Sequence, residues 1–146
     1  MRREQSLNPN PERQIDMKFM LAMNHRGNGA PQILSWAKDD LKGHINYMKQ
    51  FATKLGKQGE LVAAEGLAFP NEAKLVKANP DGTPNTDGVF PETKEFLVGY
   101  WIVEVETVKR AYEIAAEASM APGQQGKPLH LDIEVRQVMS APPPVE

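Results

Sequence analysis

The spacing of apolar residues changes period several times along this chain, and each change marks a switch between strand and helix. Met17 to Asn24 (MKFMLAMN) is a short apolar run that predicts a buried strand, with His25 to Pro31 as the loop after it. From Ser35 the period becomes helical. Leu41, Ile45, Met48, Phe51, Ala52 and Leu55 recur three or four apart and form one stripe. Ser35 is the expected N-cap, Asp39 and Asp40 favour the positive end of the helix dipole, and Gly56 and Gly59 supply the stop.

The second half continues the alternation. Leu61 to Leu67 predicts a second strand, and Ala73 to Ala78 a short third one at an edge. Asn79-Pro80-Asp81-Gly82 is a turn by residue type. Phe96 to Val105 is rich in β-branched and aromatic residues and predicts a strand. Val108 to Ser119 predicts a helix with Val108, Ala111, Tyr112, Ala115 and Ala118 on one face, followed by a Gly/Pro loop from Pro122 to Pro128. From Leu129 to Met139 the pattern alternates, with Leu129, Leu131, Ile133 and Val135 inward and His130, Asp132, Glu134 and Arg136 outward.

The resulting order, β-α-β-(β)-β-α-β, matches the ferredoxin-like split βαβ plan. It is an α+β fold with two helices on one face of an antiparallel sheet. No further helix is predicted to cover the other sheet face, so a homodimer packed through those faces is expected. Residues 17–139 form the predicted domain. Residues 1–16, with Asn8, Pro9, Asn10 and Pro11, read as an N-terminal tail, and residues 140–146, with Pro142, Pro143 and Pro144, as a polyproline-like one.

Composition narrows the function classes. The chain has 146 residues, a length suited to one domain with a real core. Its net charge of -2 and lack of a basic aromatic stripe argue against nucleic-acid binding. With no cysteine, thiolate nucleophiles and disulfides are excluded, and a reducing cytoplasm is the expected compartment. No apolar run approaches the ~20 residues of a membrane helix, so no membrane partner is expected. His25, His44 and His130 have no metal-ligand spacing, and the chain lacks a phosphate-binding glycine loop, nucleophile elbow or dinucleotide fingerprint; neither metal nor cofactor is expected.

Charge concentrates in one place. Asp87-Gly88-Val89-Phe90-Pro91-Glu92-Thr93-Lys94-Glu95 runs directly into the apolar strand that carries Gly99, Tyr100 and Trp101. Charge beside a buried strand is costly unless paired or used. This segment (DGVFPETKEFLVGYWIVEVE) resembles the signature of the YCII-related proteins, in particular their DGPF subgroup. Asp87, Gly88, Phe90, Glu92, Lys94, Glu95, Gly99 and Tyr100 match it, and Glu134-Val135-Arg136 is similar to the subgroup's closing motif. The MKFML opening at Met17 and Glu65-Gly66-Leu67 also fit. Val89, Val98 and Gln137 depart from the pattern, which leaves the loop at 87–91 less rigidly set.

The resemblance implies a dimeric α+β barrel, an activity toward small molecules in some relatives, and a His and an Asp in the site, here His44 and Asp87. His44 flanks the helical stripe, where it serves either as a general base or as a partly exposed helix residue with no role. Asp87 either orients an imidazole or closes its own turn as an Asx residue. Lys94 and Glu95 hold a polar ligand or belong to a solvated loop. Tyr100 and Trp101 occupy opposite faces of one strand, one lining a cavity and the other packing under a helix. Glu134 and Arg136 share a face, either as an ion-pair ladder or as an anchor for an anionic substrate. Two functions follow: a cofactor-free enzyme of proton transfer or elimination, or a non-catalytic metabolite-binding or regulatory dimer.

Overall fold

The computed structural model describes residues 16–29 and 32–139. Apart from Asp16, the two expected tails lie outside the described residues, as do Ala30 and Pro31 of the predicted loop. The elements are β1 (Met17–Arg26), α1 (Lys38–Lys57), β2 (Leu61–Gly66), β3 (Lys77–Ala78), β4 (Pro84–Asn85), β5 (Glu95–Val105), α2 (Val108–Ser119) and β6 (Ile133–Gln137). The main sheet is ordered β2-β5-β1-β6, with every neighbour antiparallel, the ferredoxin-like arrangement.

Strand alternation sorts β1 and β5 into two faces. Phe19 and Leu21 of β1 and Trp101, Val103 and Val105 of β5 join Phe51 and Leu55 of α1 and Ala111, Ile114, Ala115 and Ala118 of α2 in one core. Both helices therefore cover the same side. Phe51 and Trp101 meet edge to face with centroids 5.4 Å apart, so Trp101 is the core member of the Tyr100–Trp101 pair. The opposite face carries Met20, Ala22, Tyr100 and Ile102, with Lys18, Glu104, Glu134 and Arg136 around them. Among the described residues no helix covers it.

Several boundaries differ from the sequence reading, each for a local reason. Ser35 does not cap α1: its hydroxyl donates to the Gln32 carbonyl at 2.7 Å inside a separate 3-10 turn, and the helix starts after Ala37. At the other end Gly56 stays helical and Gly59 alone takes positive φ. The Glu60 and Gly59 amides then reach back to Leu55 and Gly56, a Schellman closure. β1 runs on to Arg26, past a bulge that leaves Val98 as the extra residue of β5. The expected third strand shrinks to Lys77–Ala78. It pairs only with Pro84–Asn85 across the Asn79–Gly82 turn and never joins the main sheet. In α2, Ile114 takes the core position, whereas Val108 and Tyr112 are exposed. β6 begins only at Ile133, because His130 has φ of 51° and the Leu129 and Leu131 amides bond to Ala121 and Ser119 instead.

Two ion pairs tie the helices to their surroundings. Lys54 of α1 pairs with Glu117 of α2, and the Tyr47 hydroxyl donates to the Glu117 carbonyl at 2.6 Å. Burial, then the nearby Glu117 charge, pushes the Tyr47 phenol above its ordinary value. Arg110 grips Glu60 with both arms of its guanidinium, at 2.8 and 2.9 Å. That hydrogen bonding, with a smaller direct charge attraction, holds the Glu60 carboxyl below its usual range. A carboxylate whose folded pKa is depressed stabilises the fold above its unfolded pKa and loses that contribution as pH falls through the folded value. Arg110→Gln is therefore expected to cost about 1 kcal/mol at pH 7 and less at pH 3, a convergence that urea denaturation at the two pH values measures.

Candidate functional site

α1 does not lie flat on the sheet. Toward its C-terminal end Phe51 and Leu55 are buried, one turn back Met48 is half-buried, and Ile45 is 42% exposed. Between α1 and the strands β2 and β5 lies a cavity of about 360 Å³, a wedge of space with helix on one side and sheet on the other. Met23, Ile45, Met48, Ala52, Ala64 and Trp101 make its walls. Gly66 and Gly99, paired across β2 and β5, form a floor without side chains. A Cβ on Gly99 would press on the Glu65 carbonyl at 3.3 Å and the Met23 methyl at 3.4 Å, whereas one on Gly66 would meet only open space.

His44 lines this cavity from α1. Its Nδ1 is 3.0 Å from the Pro122 carbonyl oxygen, and its ring meets Trp36 edge to face at 5.7 Å. A carbonyl can only accept, so Nδ1 carries the hydrogen, and Nε2 of the neutral ring keeps its lone pair. Among the described residues Nε2 makes no hydrogen bond. The brace that holds the imidazole is itself tightly built. Pro122 and Pro128 form an antiparallel bridge, and the Gly123 amide donates to the Lys127 carbonyl at 2.7 Å. Gln125 and His130 take positive φ in the same segment, a costly conformation kept only where surrounding contacts impose it.

The other predicted site residues fall in different places. Asp87 is exposed on the excursion between β2 and β5. Its amide donates to the Asn85 side chain at 2.8 Å, so Asn85 closes the turn and the Asp87 carboxylate makes no bond to His44. Gly88 sits where a Cβ would lie 2.7 Å from Leu75 Cβ, so close packing within the excursion requires a glycine there. The Lys94 ammonium lies 5.5 Å from the Phe96 ring centroid, and Glu95 is exposed opposite Arg26. Tyr100 borders the cavity, but alternation sends its side chain to the face opposite Trp101. Glu134 and Arg136 lie on that same open face, 3.9 Å apart and both exposed.

The sheet therefore separates His44 from Tyr100, Glu134 and Arg136. Sequence reasoning missed Lys49, which lines the cavity, and Pro122, which orients His44. Lys49 was legible in principle: it follows Ile45 by four residues and so shares its side of α1. The Pro122 contact spans 78 residues and left no local signal.

A family model for the YCII-related domain matches residues 17–124, a span that runs from the first residue of β1 through Pro122. No curated protein matches the chain.

The brace yields an expectation of its own. A methyl group at position 123 would lie 2.5 Å from Leu129 Cδ2 and 3.0 Å from its Cγ. Gly123→Ala is expected to destabilise the fold by about 1–3 kcal/mol in chemical denaturation. It is also expected to move the His44 side-chain nitrogen resonances, since the carbonyl that Nδ1 bonds belongs to Pro122, the residue just before the substitution.

Proposed function

The chain belongs to the YCII-related domain family, and from that membership together with the wedge beside His44 we propose that it binds a small molecule between α1 and the β2–β5 edge and moves a proton on it. The observation that carries this reading is the orientation of His44. Its Nδ1–H is committed to the Pro122 carbonyl, which leaves Nε2 as a base beside a cavity of about 360 Å³, within the range of small-ligand sites. The reaction class is proton abstraction or elimination on a compact, largely apolar substrate. Pro122 fills the orienting role that Asp87 was expected to play.

A second reading is favoured by the carboxylate of Asp87, which makes no bond to His44. In that reading the cavity holds a metabolite without turning it over, and the protein transmits occupancy to a partner. Both readings include a homodimer of the DGPF subgroup working in the cytoplasm and packed through the open sheet faces, where Met20, Tyr100 and Ile102 are half-buried and uncovered.

A metabolite-library thermal-shift screen tests the common part, since a ligand that binds only the native state raises the midpoint. Hits are expected to vanish in Gly66→Leu, whose Cβ enters open space and whose side chain takes up the floor. His44→Gln is expected to keep binding while removing turnover; undiminished turnover would exclude the acid–base reading. The assembly has a separate check. Light scattering at micromolar concentration is expected to give a dimer, and Ile102→Lys a monomer.

A further inference from the structure

We propose that the cavity is specific for a small aromatic carboxylic acid, held with its carboxylate on Lys49 and its ring over the Gly66–Gly99 floor. The inference rests on the cavity being the ligand site and adds the chemistry of the ligand.

Charge supplies the first argument. Lys49 lines the cavity and makes no ion pair among the described residues. Glu65 also borders the space, but its neighbour Ala64 pairs with Trp101 on the helix side, so alternation turns the Glu65 side chain to the other face. Among the lysines and carboxylates that line the cavity, Lys49, itself exposed at the surface of α1, then remains on the helix side of the sheet. A cationic ligand would meet like charge there with no carboxylate in compensation, and the charge of an anionic ligand would be paired.

The walls supply the second. Of the two glycines facing one another across β2 and β5, Gly66 is exposed, with open space where a Cβ would stand, while the Met23 methyl lies over the buried Gly99. Trp101 stands on one side, and the flexible thioethers of Met23 and Met48 lie around it. A planar ring fits a side-chain-free floor, and methionine sulfurs make favourable contacts with aromatic edges.

Spacing supplies the third. His44 and Lys49 are five residues apart on α1, about 7.5 Å along the helix axis. The long Lys49 side chain and the His44 ring leave the helix about 140° apart, and a benzenoid ring with an acid at one end and a proton donor at the other offers one group to each. The donor end then meets the Nε2 lone pair.

The test uses 4-hydroxyphenylacetate, 4-hydroxyphenylacetamide and tyramine, which share a phenol and differ in the charge at the other end. Binding is followed by amide chemical shifts of the full chain, with Gly66 and Gly99 as reporters. The acid is expected to bind at least about tenfold more tightly than the amide, and tyramine most weakly. Lys49→Met, an exposed helix position, is expected to bring acid and amide to similar affinity. Gly66→Leu is expected to remove binding of the acid without lowering the melting temperature. Equal binding of acid and amide at these glycines, or a preference for tyramine, would overturn the ligand class and leave the cavity as the site. Failure of all three compounds to perturb Gly66 or Gly99 would overturn both.

Discussion

The antiparallel pairing of β1 with β5 is the constraint on which the rest of this structure depends. These two strands occupy the centre of the sheet, and their helix-facing residues, Phe19, Leu21, Trp101, Val103 and Val105, form the surface on which both helices settle. Burying these large apolar groups together is the main driving force available to a chain of this size. The register matters as much as the burial. A slip of one residue would send Trp101 to the open face and Tyr100 into the core. The bulge at Val98 shows where this strict pairing relaxes. Beyond it the strands lead out to the excursion, and beside it Gly99 opens the cavity floor.

The cavity is a consequence of how α1 meets that sheet. Phe51 and Leu55 fix one end of the helix against Trp101 and its neighbours. The other end is braced by contacts of a different kind: the Trp36 ring against His44, and the carbonyl of Pro122 against the imidazole. Packing at one end and polar bracing at the other turn a helix–sheet interface into a wedge. An imidazole tied by one nitrogen and free at the other is fixed in tautomer as well as position, which is the requirement for a base of defined geometry.

The open face of the sheet has a different character. Its central residues are apolar, its margins charged, and Glu134 and Arg136 lie on it, exposed and close together. Tyr100, Glu134 and Arg136 are thus divided from His44 by the thickness of the sheet. The charged segment from Asp87 to Lys94 precedes β5 and belongs to neither face. It closes an excursion whose tight points are Gly88 against Leu75 and Phe90 against Phe96 at 4.8 Å, so part of its pattern is explained by packing alone.

The α+β class, the four principal strands, the two helices and their order were all legible in the sequence. Period-two and period-3.6 patterns are local, and the residues that generate them are those the core buries. Trp101 in the core, the stripe ending in Phe51 and Leu55, and the turn at Asn79–Gly82 belong to that local information. Tertiary structure decided what depends on residues distant in sequence. β6 was shortened by bonds to Ala121 and Ser119, and Ile114 displaced Tyr112 from the core, whereas Ser35 left the helix for a local bond to the Gln32 carbonyl. The environment of His44 was decided in the same way, because its orienting carbonyl comes from a loop folded back by two bends at Gln125 and His130. Sequence periodicity assigns a side chain to a face; only the closing of the chain upon itself determines which polar group it finds there.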